Sequence, residues 1–302
     1  MTRRLALAWL ALVAFAALAA ELLASDRAIV ARTDAGLTWR PAARGDALRA
    51  RLGPDGWAVW PPIAADPIAV RTDGALVILA APSARHRLGT DDRGRDVAAR
   101  LIHGARTSAA LGAGAAGLAT LLGLGLALAI GLGPGRLRAP ALAVCDAIAS
   151  APALLVTLVA AALVGHRGLI ALAALIAVPR GADTARLVAA QLTAELAAPY
   201  VVAARGLGAS PARVLVRHAL PAVWPALAIA AALTAATALL SEAALSFLGL
   251  GPPPPTPSWG ELLAQATQHD LRWWLSVPAG LAATLTAAAL FALALAPPRA
   301  SR

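Results

Sequence analysis

The sequence predicts an all-α polytopic membrane protein with six transmembrane helices and a small extracytoplasmic segment between the first and second. Hydrophobic residues make up 59% of the 302 residues and charged residues only 14%, whereas about a quarter of a soluble domain is charged. Apolar runs recur at the length of about 20 residues that crosses a bilayer. These runs lie at about 5–23, 107–131, 141–164, 169–188, 222–247 and 275–296.

Arginines set the predicted orientation. Every basic residue is arginine and none is lysine, and positive charge collects in cytoplasmic loops. With the N-terminus inside, the cytoplasmic segments carry Arg3, Arg4, Arg136, Arg138, Arg205, Arg213, Arg217, Arg299 and Arg302. The short outside loops carry only Arg167 and Arg272. We therefore predict a plasma (inner) membrane protein with both termini cytoplasmic, and we attribute the net charge of +10 to topology and not to nucleic-acid binding.

The first span, 1–23, is predicted to be an N-terminal transmembrane anchor. Arg3, Arg4, an apolar core and the sequence Ala17-Leu18-Ala19 also fit a cleavable signal peptide. The apolar character continues to Leu23, which favours an anchor that stays attached.

Segment 24–106 is predicted to be an extracytoplasmic lobe of short strands and turns. Its apolar patches lie at 57–63 and 76–81. Asp96 is placed to cap a helix with Val97, Leu101, Ile102 and Ala105 on one face and Arg95, Arg100 and Arg106 elsewhere. This pattern predicts an interfacial amphipathic helix that leads into the second span and anchors at the surface without binding a ligand.

The five-helix core, 107–296, contains an Arg-rich segment at 200–221. Ala203, Ala204 and Leu207 can share one helical face, and Gly208 interrupts it. Ser210 then restarts a helix as a cap, with a proline at the first helical position. Pro221 is expected to end this second helix. Two short helices joined at a glycine favour docking to another protein over chemistry.

The loop between the last two spans is predicted to be stiff and irregular. Prolines between Gly251 and Pro257 exclude helix there. Trp273 and Trp274 stand where the last span enters the membrane, as an aromatic belt would. Residues 297–302 form a short cytoplasmic tail in this scheme.

No catalytic constellation is evident, so the chain is not expected to be an enzyme. The histidines are scattered and Cys145 is the one cysteine, so we predict neither a metal site nor an internal disulfide. A phosphate-binding loop needs a lysine; if the protein uses ATP, another chain must bind it.

Ionisable residues inside the spans are the remaining candidates for function, because burying them in a membrane is costly. Glu242 lies in the fifth span with Ser241 and Ser246 nearby. Either this face lines a translocation path or contacts a partner membrane protein, or the carboxyl group is simply hydrogen-bonded within the bundle. Arg180 and Asp183 follow Pro179, where the fourth span should bend and leave the membrane, and they are spaced to pair at i, i+3.

Several segments together resemble the C-type permease subunits of ABC importers for dipeptides, oligopeptides or nickel. Residues 200–221 resemble the EAA loop, with matches at Tyr200, Val201, Ala203, Ala204, Arg205, Leu207, Gly208, Ala209, Ser210, Arg217, His218, Leu220 and Pro221. Residues 86–106, 242–251 and 255–260 resemble other signatures of these subunits in the same order. The similarity covers about 86–280.

The resemblance implies a fold like that of type I importer permeases and a set of partners. These are a second, B-type permease, two ABC ATPase subunits that bind ATP, an extracytoplasmic substrate-binding protein and the lipid bilayer. The segment 200–221, hereafter the coupling loop, would dock on an ATPase. Two departures stand out: Val202 replaces the acidic residue of the loop, and the C-terminal tail typical of these subunits is missing, so its contacts are expected to be lost or replaced.

Two interpretations from other classes stay open. A secondary transporter or channel would need several buried ionisable residues or repeated broken helices, and only Glu242 lies clearly within a span. A decayed, non-transporting permease-like scaffold would fit the lost acidic residue and the missing tail.

Overall fold

The computed structural model describes residues 2–34, 36–69, 77–165 and 168–296. The predicted tail 297–302, His166, Arg167 and the start of the apolar patch at 76–81 lie outside these ranges. The chain divides into two compact units. The first contains residues 2–7, 111–241 and 287–296, and the second contains 8–110 and 242–286.

The first unit is built from helices. Apart from residues 3–7 and 287–294, which are the ends of two helices described below, they are α4 (Val97–Leu132, from residue 111), α5 (Gly135–Ala149), α6 (Ala153–Val164), α7 (Gly168–Leu196), α8 (Pro199–Gly206), α9 (Pro211–Val214), a π-helical turn (Leu215–Ala219) and most of α10 (Leu220–Phe247). Small residues let α4 and α7 approach closely: a Cβ on Gly123 would lie 2.6 Å from the Cβ of Thr184. Such contacts are typical of helix packing in membranes.

The third predicted span is not one straight helix. α5 and α6 are separated by a short break and bent by 89°. Pro152 has extended backbone angles, with φ −55° and ψ 128°, and α6 starts directly after it. Proline lacks the N–H that a continuing helix would need, which explains the break that an apolar-run count does not detect.

The fourth predicted span also differs, because Pro179 does not end it. α7 continues through this buried proline to Leu196. The predicted pair is confirmed, with Arg180 Nη1 3.5 Å from Asp183 Oδ2, and it lies in the middle of the helix.

The second unit contains the predicted strand-and-turn lobe. Short helices α1 (Arg3–Leu18, from residue 8), α2 (Ala20–Leu23) and α3 (Gly45–Arg49) accompany strands β1 (Val30–Thr33), β2 (Gly36–Trp39) and β3 (Trp57–Val59). The sheet is antiparallel in the order β2-β1-β3. Ala28, Ala31 and Leu48 form its small core.

The prediction for the start of α4 is confirmed in one part and wrong in another. Asp96 caps the helix, its Oδ1 accepting a hydrogen bond from the Ala99 N–H at 2.9 Å. The predicted amphipathic helix is continuous with the span that follows. Arg100, expected on an exposed polar face, is fully buried, and it pairs there with Asp91 from the turn before α4 and with Glu261 from a helix near the C-terminus.

The last loop holds a helix that the sequence analysis missed. α11 (Trp259–Gln268) begins at Ser258, whose hydroxyl accepts a hydrogen bond from the Glu261 N–H at 3.0 Å. α12 (Trp273–Ala294) then begins at the two tryptophans. Trp273 is exposed as an interfacial residue would be, whereas Trp274 is buried and its Nε1 lies 3.3 Å from the Thr90 carbonyl oxygen.

Within the described ranges, four helices are long and apolar enough to cross a membrane, or five if the bent pair α5 and α6 counts as one span. α1 has 16 residues, short of the usual 20 or so. The protein is thus a polytopic helical membrane protein, and the count of six spans stays a prediction.

Candidate functional site: the coupling loop and a buried carboxylate

The coupling loop begins with a short helix, α8, which meets the start of a second helix, α9, at a glycine turn, as predicted. α8 ends at Gly206, and Gly208 has φ +85°, a conformation that glycine adopts without steric cost. The Ser210 hydroxyl then caps α9 by accepting a hydrogen bond from the Arg213 N–H at 3.3 Å. Pro211 occupies the first helical position.

Aromatic and apolar contacts hold the two halves of the loop together. The rings of Tyr200 and His218 meet edge to face with centroids 5.8 Å apart, an arrangement that aromatic pairs favour. Val201, Val214 and Ala219 are fully or almost fully buried. The loop thus has an inward-facing side that is packed and an outward-facing side that is not.

That outer surface is apolar and exposed. Leu207 at the turn is 91% exposed, and Val216 and Val202 are 65% and 56% exposed. Ala203, Arg205 and Arg217 are also exposed, while Ala204 is half-buried. An exposed apolar surface with arginines beside it has the composition of a protein-binding site.

The predicted end of the second helix at Pro221 is wrong. The chain passes from α9 through the π-helical turn into α10 without a break, giving one helix from Pro211 to Phe247. In the π turn the Leu220 N–H donates to the Leu215 carbonyl, five residues back. Proline at 221 cannot donate, and this wider turn just before it accommodates the ring without ending the helix.

The coupling loop is joined to the spans by packing as well as by the chain. Ala219 and Val223 are buried together with Val188 and Leu192 of α7. Gln191 Nε2 also donates to the Ala222 carbonyl at 3.3 Å. Movement of the loop must therefore move the adjoining ends of α7 and α10.

Glu242, the second candidate, is almost completely buried. The Ser258 hydroxyl donates to its Oε1 at 2.7 Å and the Ser246 hydroxyl at 3.1 Å. The Ser108 hydroxyl lies 3.4 Å from Oε2. This geometry favours the interpretation of a carboxyl group hydrogen-bonded within the bundle. Ser241 is half-buried, and its place in a translocation path stays a hypothesis.

Gly260 completes the surroundings of this carboxylate. A Cβ at position 260 would lie 2.5 Å from Glu242 Oε1 and 2.9 Å from the Ala243 Cα, so only glycine lets the start of α11 come this close. Together with Ser258, which also caps α11, it ties the loop after α10 to the end of that helix.

Comparisons with known proteins agree with this architecture. Residues 119–297 match the model of the family described as binding-protein-dependent transport system inner membrane component. The chain is 36% identical to a peptide transport system permease protein of Brucella suis biovar 1 over 212 residues, which cover 69% of this chain and 70% of the relative. It is 37% identical to the di/tripeptide transport system permease protein DppC of Pseudomonas aeruginosa over 208 residues, 68% of each chain.

The chain belongs to this family of transport permeases. It is a permease subunit of a binding-protein-dependent ABC importer.

The permease also has a buried ionic network that sequence reasoning missed. Arg95 Nε donates to Asp91 Oδ2 at 2.7 Å, and Arg100 Nε lies 3.2 Å from the same oxygen. Arg100 also pairs with Glu261 of α11 and donates to the Pro67 carbonyl at 3.0 Å. The sequence offered one clue to these ion pairs, because the arginines and aspartates around residues 86–96 lie three or four positions apart. Their burial was not predictable, because it depends on α11, which is far away in sequence.

This network is structural in character. Nearby, His86 Nδ1 lies 2.9 Å from Asp96 Oδ2, so the residues of the motif largely satisfy one another. Among the residues that the structure describes, no three His, Cys, Asp or Glu side chains are grouped as metal ligands would be.

Proposed function

We propose that this permease imports peptides or a related solute, together with a second, B-type permease, and that its coupling loop docks on an ABC ATPase. The exposed apolar surface around Leu207 carries the proposal, because it stands next to the start of a helix long and apolar enough to cross a membrane. An extracytoplasmic binding protein would deliver the solute, as the family description implies. Peptides are the proposed class because both relatives described above are named for peptide transport.

The proposed topology places the coupling loop where an ATPase can reach it. With six spans and both termini in the cytoplasm, the loop and its arginines lie inside, in agreement with the positive-inside rule. The lobe of residues 24–69 then lies outside, facing the binding protein. α1, continued by α2, serves as the first span and anchor.

ATP would act through rigid-body motion and not through chemistry in this chain. A chain without lysine lacks the residue that a phosphate-binding loop requires, so the two ATPase subunits would supply the nucleotide site. When they close on ATP, the docked loop is displaced, and α7 and α10 move with it because they share a core.

The test uses the complete complex, reconstituted in proteoliposomes with its binding protein. Gly208→Pro replaces a residue at φ +85° by one fixed near about −65°, and it also removes the N–H that donates to the Arg205 carbonyl. We expect dipeptide uptake and substrate-stimulated ATP hydrolysis to fall more than about tenfold while the two permeases still copurify.

Gly165→Pro is the matched control. Gly165 also has a positive φ, +73°, has no atom near its Cβ position, and donates its N–H to a helix carbonyl, but it lies at the far end of α6. Normal uptake by the Gly208→Pro complex would refute the docking role. Failure of the wild-type complex to take up any peptide would refute the proposed substrate class.

A further inference from the structure

A charged groove lies between the middle parts of α7 and α10. Arg180 and Asp183 come from α7, and Thr234 and Thr237 come from α10; with Thr184, Leu187, Ala230 and Leu233 they line a cavity of about 160 Å³. Asp183 is 15 residues beyond the start of α7, or roughly 22 Å along a helix that rises about 1.5 Å per residue. The charges therefore stand near the middle of α7, one of the helices long and apolar enough to cross a membrane.

The ion pair in this groove is loose and open. The shortest distance between Arg180 and Asp183 is 3.5 Å, and their side chains are 29% and 53% exposed. The structural pair Arg95–Asp91 is different, with a distance of 2.7 Å and exposures of 3% and 0%. A loosely paired charge on a membrane-spanning helix is strongly unfavourable against lipid, so this face is expected to meet water or polar groups.

Further polar groups extend along the same side. Arg186, three residues beyond Asp183 on α7, lies 3.5 Å from Asp146 of α5, and this pair is also exposed. In the groove, the hydroxyls of Thr184 and Thr237 donate to carbonyls of their own helices at 2.8 and 2.9 Å. Their oxygens can still accept a hydrogen bond from a bound solute.

We propose that this groove is a subsite of the translocation path that binds the charged ends of a zwitterionic solute such as a short peptide. The guanidinium of Arg180 would receive a carboxylate, the carboxylate of Asp183 would receive an ammonium group, and the groove has room for an end of the peptide. This inference rests on the importer function proposed above. It assigns the path to α7 and α10 at Arg180 and Asp183, and not to the enclosed carboxylate of Glu242.

Cysteine accessibility tests the groove in the assembled complex. In a Cys145→Ala background, Leu187→Cys places a thiol in the groove and Val178→Cys places one elsewhere on α7. The two parent residues are matched, being apolar and 49% and 43% exposed. We expect a membrane-impermeant cationic methanethiosulfonate to modify the Leu187→Cys complex at least about tenfold faster than the Val178→Cys complex, because only the first thiol would face water. Saturating dialanine, added with the binding protein, should slow the reaction of the Leu187→Cys complex only.

The charges are tested in the Leu187→Cys background. Asp183→Asn keeps the shape of the side chain but removes the partner for an ammonium group. It should raise the dialanine concentration that half-protects the thiol at position 187 by about tenfold, the scale of one charge-assisted hydrogen bond.

Two kinds of contrary result would overturn the inference about the groove. If the wild-type complex still transports dialanine, these results leave the importer function intact. Equal labelling of the two cysteine variants would mean that the groove is closed by lipid or by the partner permease. Fast labelling at position 187 without protection by dialanine, or protection unaffected by Asp183→Asn, would mean that the groove does not bind the solute ends.

Discussion

Leu207 offers the sharpest test of ATPase docking. Its side chain is 91% exposed in this chain, so Leu207→Ala removes nothing from the core and should leave the fold unchanged. The substitution deletes three carbon atoms, each worth about 0.8 kcal/mol when buried in a complex. Allowing for incomplete burial, docking should weaken by about 2 kcal/mol, or about 30-fold in affinity.

The assay titrates purified ATPase onto the permease pair held in nanodiscs and follows the stimulation of ATP hydrolysis. The half-maximal ATPase concentration should rise about 30-fold for Leu207→Ala. Ile170→Ala is the control, because Ile170 is 83% exposed but lies at the opposite end of α7 from the loop. If the two variants behave alike, Leu207 is not part of the contact and the coupling surface has been misplaced.

Three further predictions concern other parts of the molecule. Val202→Glu should lower substrate-stimulated ATP hydrolysis at least about tenfold with the native ATPase, because it would place a carboxylate against a surface adapted to an apolar residue. Unchanged stimulation would mean that position 202 is not an adapted contact. Gly123→Ala should destabilise the helix bundle by about 1–3 kcal/mol because its new methyl group would overlap Thr184, whereas Gly125→Ala, with open space around it, should not lower the melting temperature in detergent. Partial burial, together with the neighbouring carboxylate of Asp66, raises the pKa of Asp26 above its usual 3.8. The lobe of residues 24–69 should therefore lose stability as the pH rises from about 3.8 through that raised pKa. Hydrogen exchange of the lobe should become faster over this pH range, beyond the intrinsic effect of pH on exchange, and Asp26→Asn should abolish this loss of protection.

Local chemistry made much of the coupling loop predictable. The glycine turn at 208 and the cap at Ser210 follow from backbone preferences of single residues, and both are present as expected. The expectations for Pro221 and Pro179 were wrong, because a proline ends a helix only if its surroundings cannot accommodate its ring and the carbonyl group that loses its hydrogen-bond donor. At Pro221 a π-helical turn accommodates the ring, and Pro179 is held within a buried part of α7; neither circumstance can be read from the few residues nearby.

The parts that sequence reasoning missed depend on contacts between distant residues. The apolar-run pattern shows where a span can be but not that α5 and α6 bend by 89° at Pro152. The burial of Arg100 was not predictable because its partner Glu261 is 161 positions away. The surroundings of Glu242 were half visible: Ser246 is one helical turn away, whereas Ser108 and Ser258 reach it only through folding.

The helix that begins in the coupling loop has a mechanical consequence. From Pro211 to Phe247 it is 37 residues long, or roughly 55 Å at about 1.5 Å per residue. A tilt of only about 5° imposed at its coupling-loop end would shift the opposite end sideways by about 5 Å, the scale of one helical turn. An ATPase that moves the loop by a small angle could thus open or seal a gate on the far side of the membrane without any bond in this chain being made or broken.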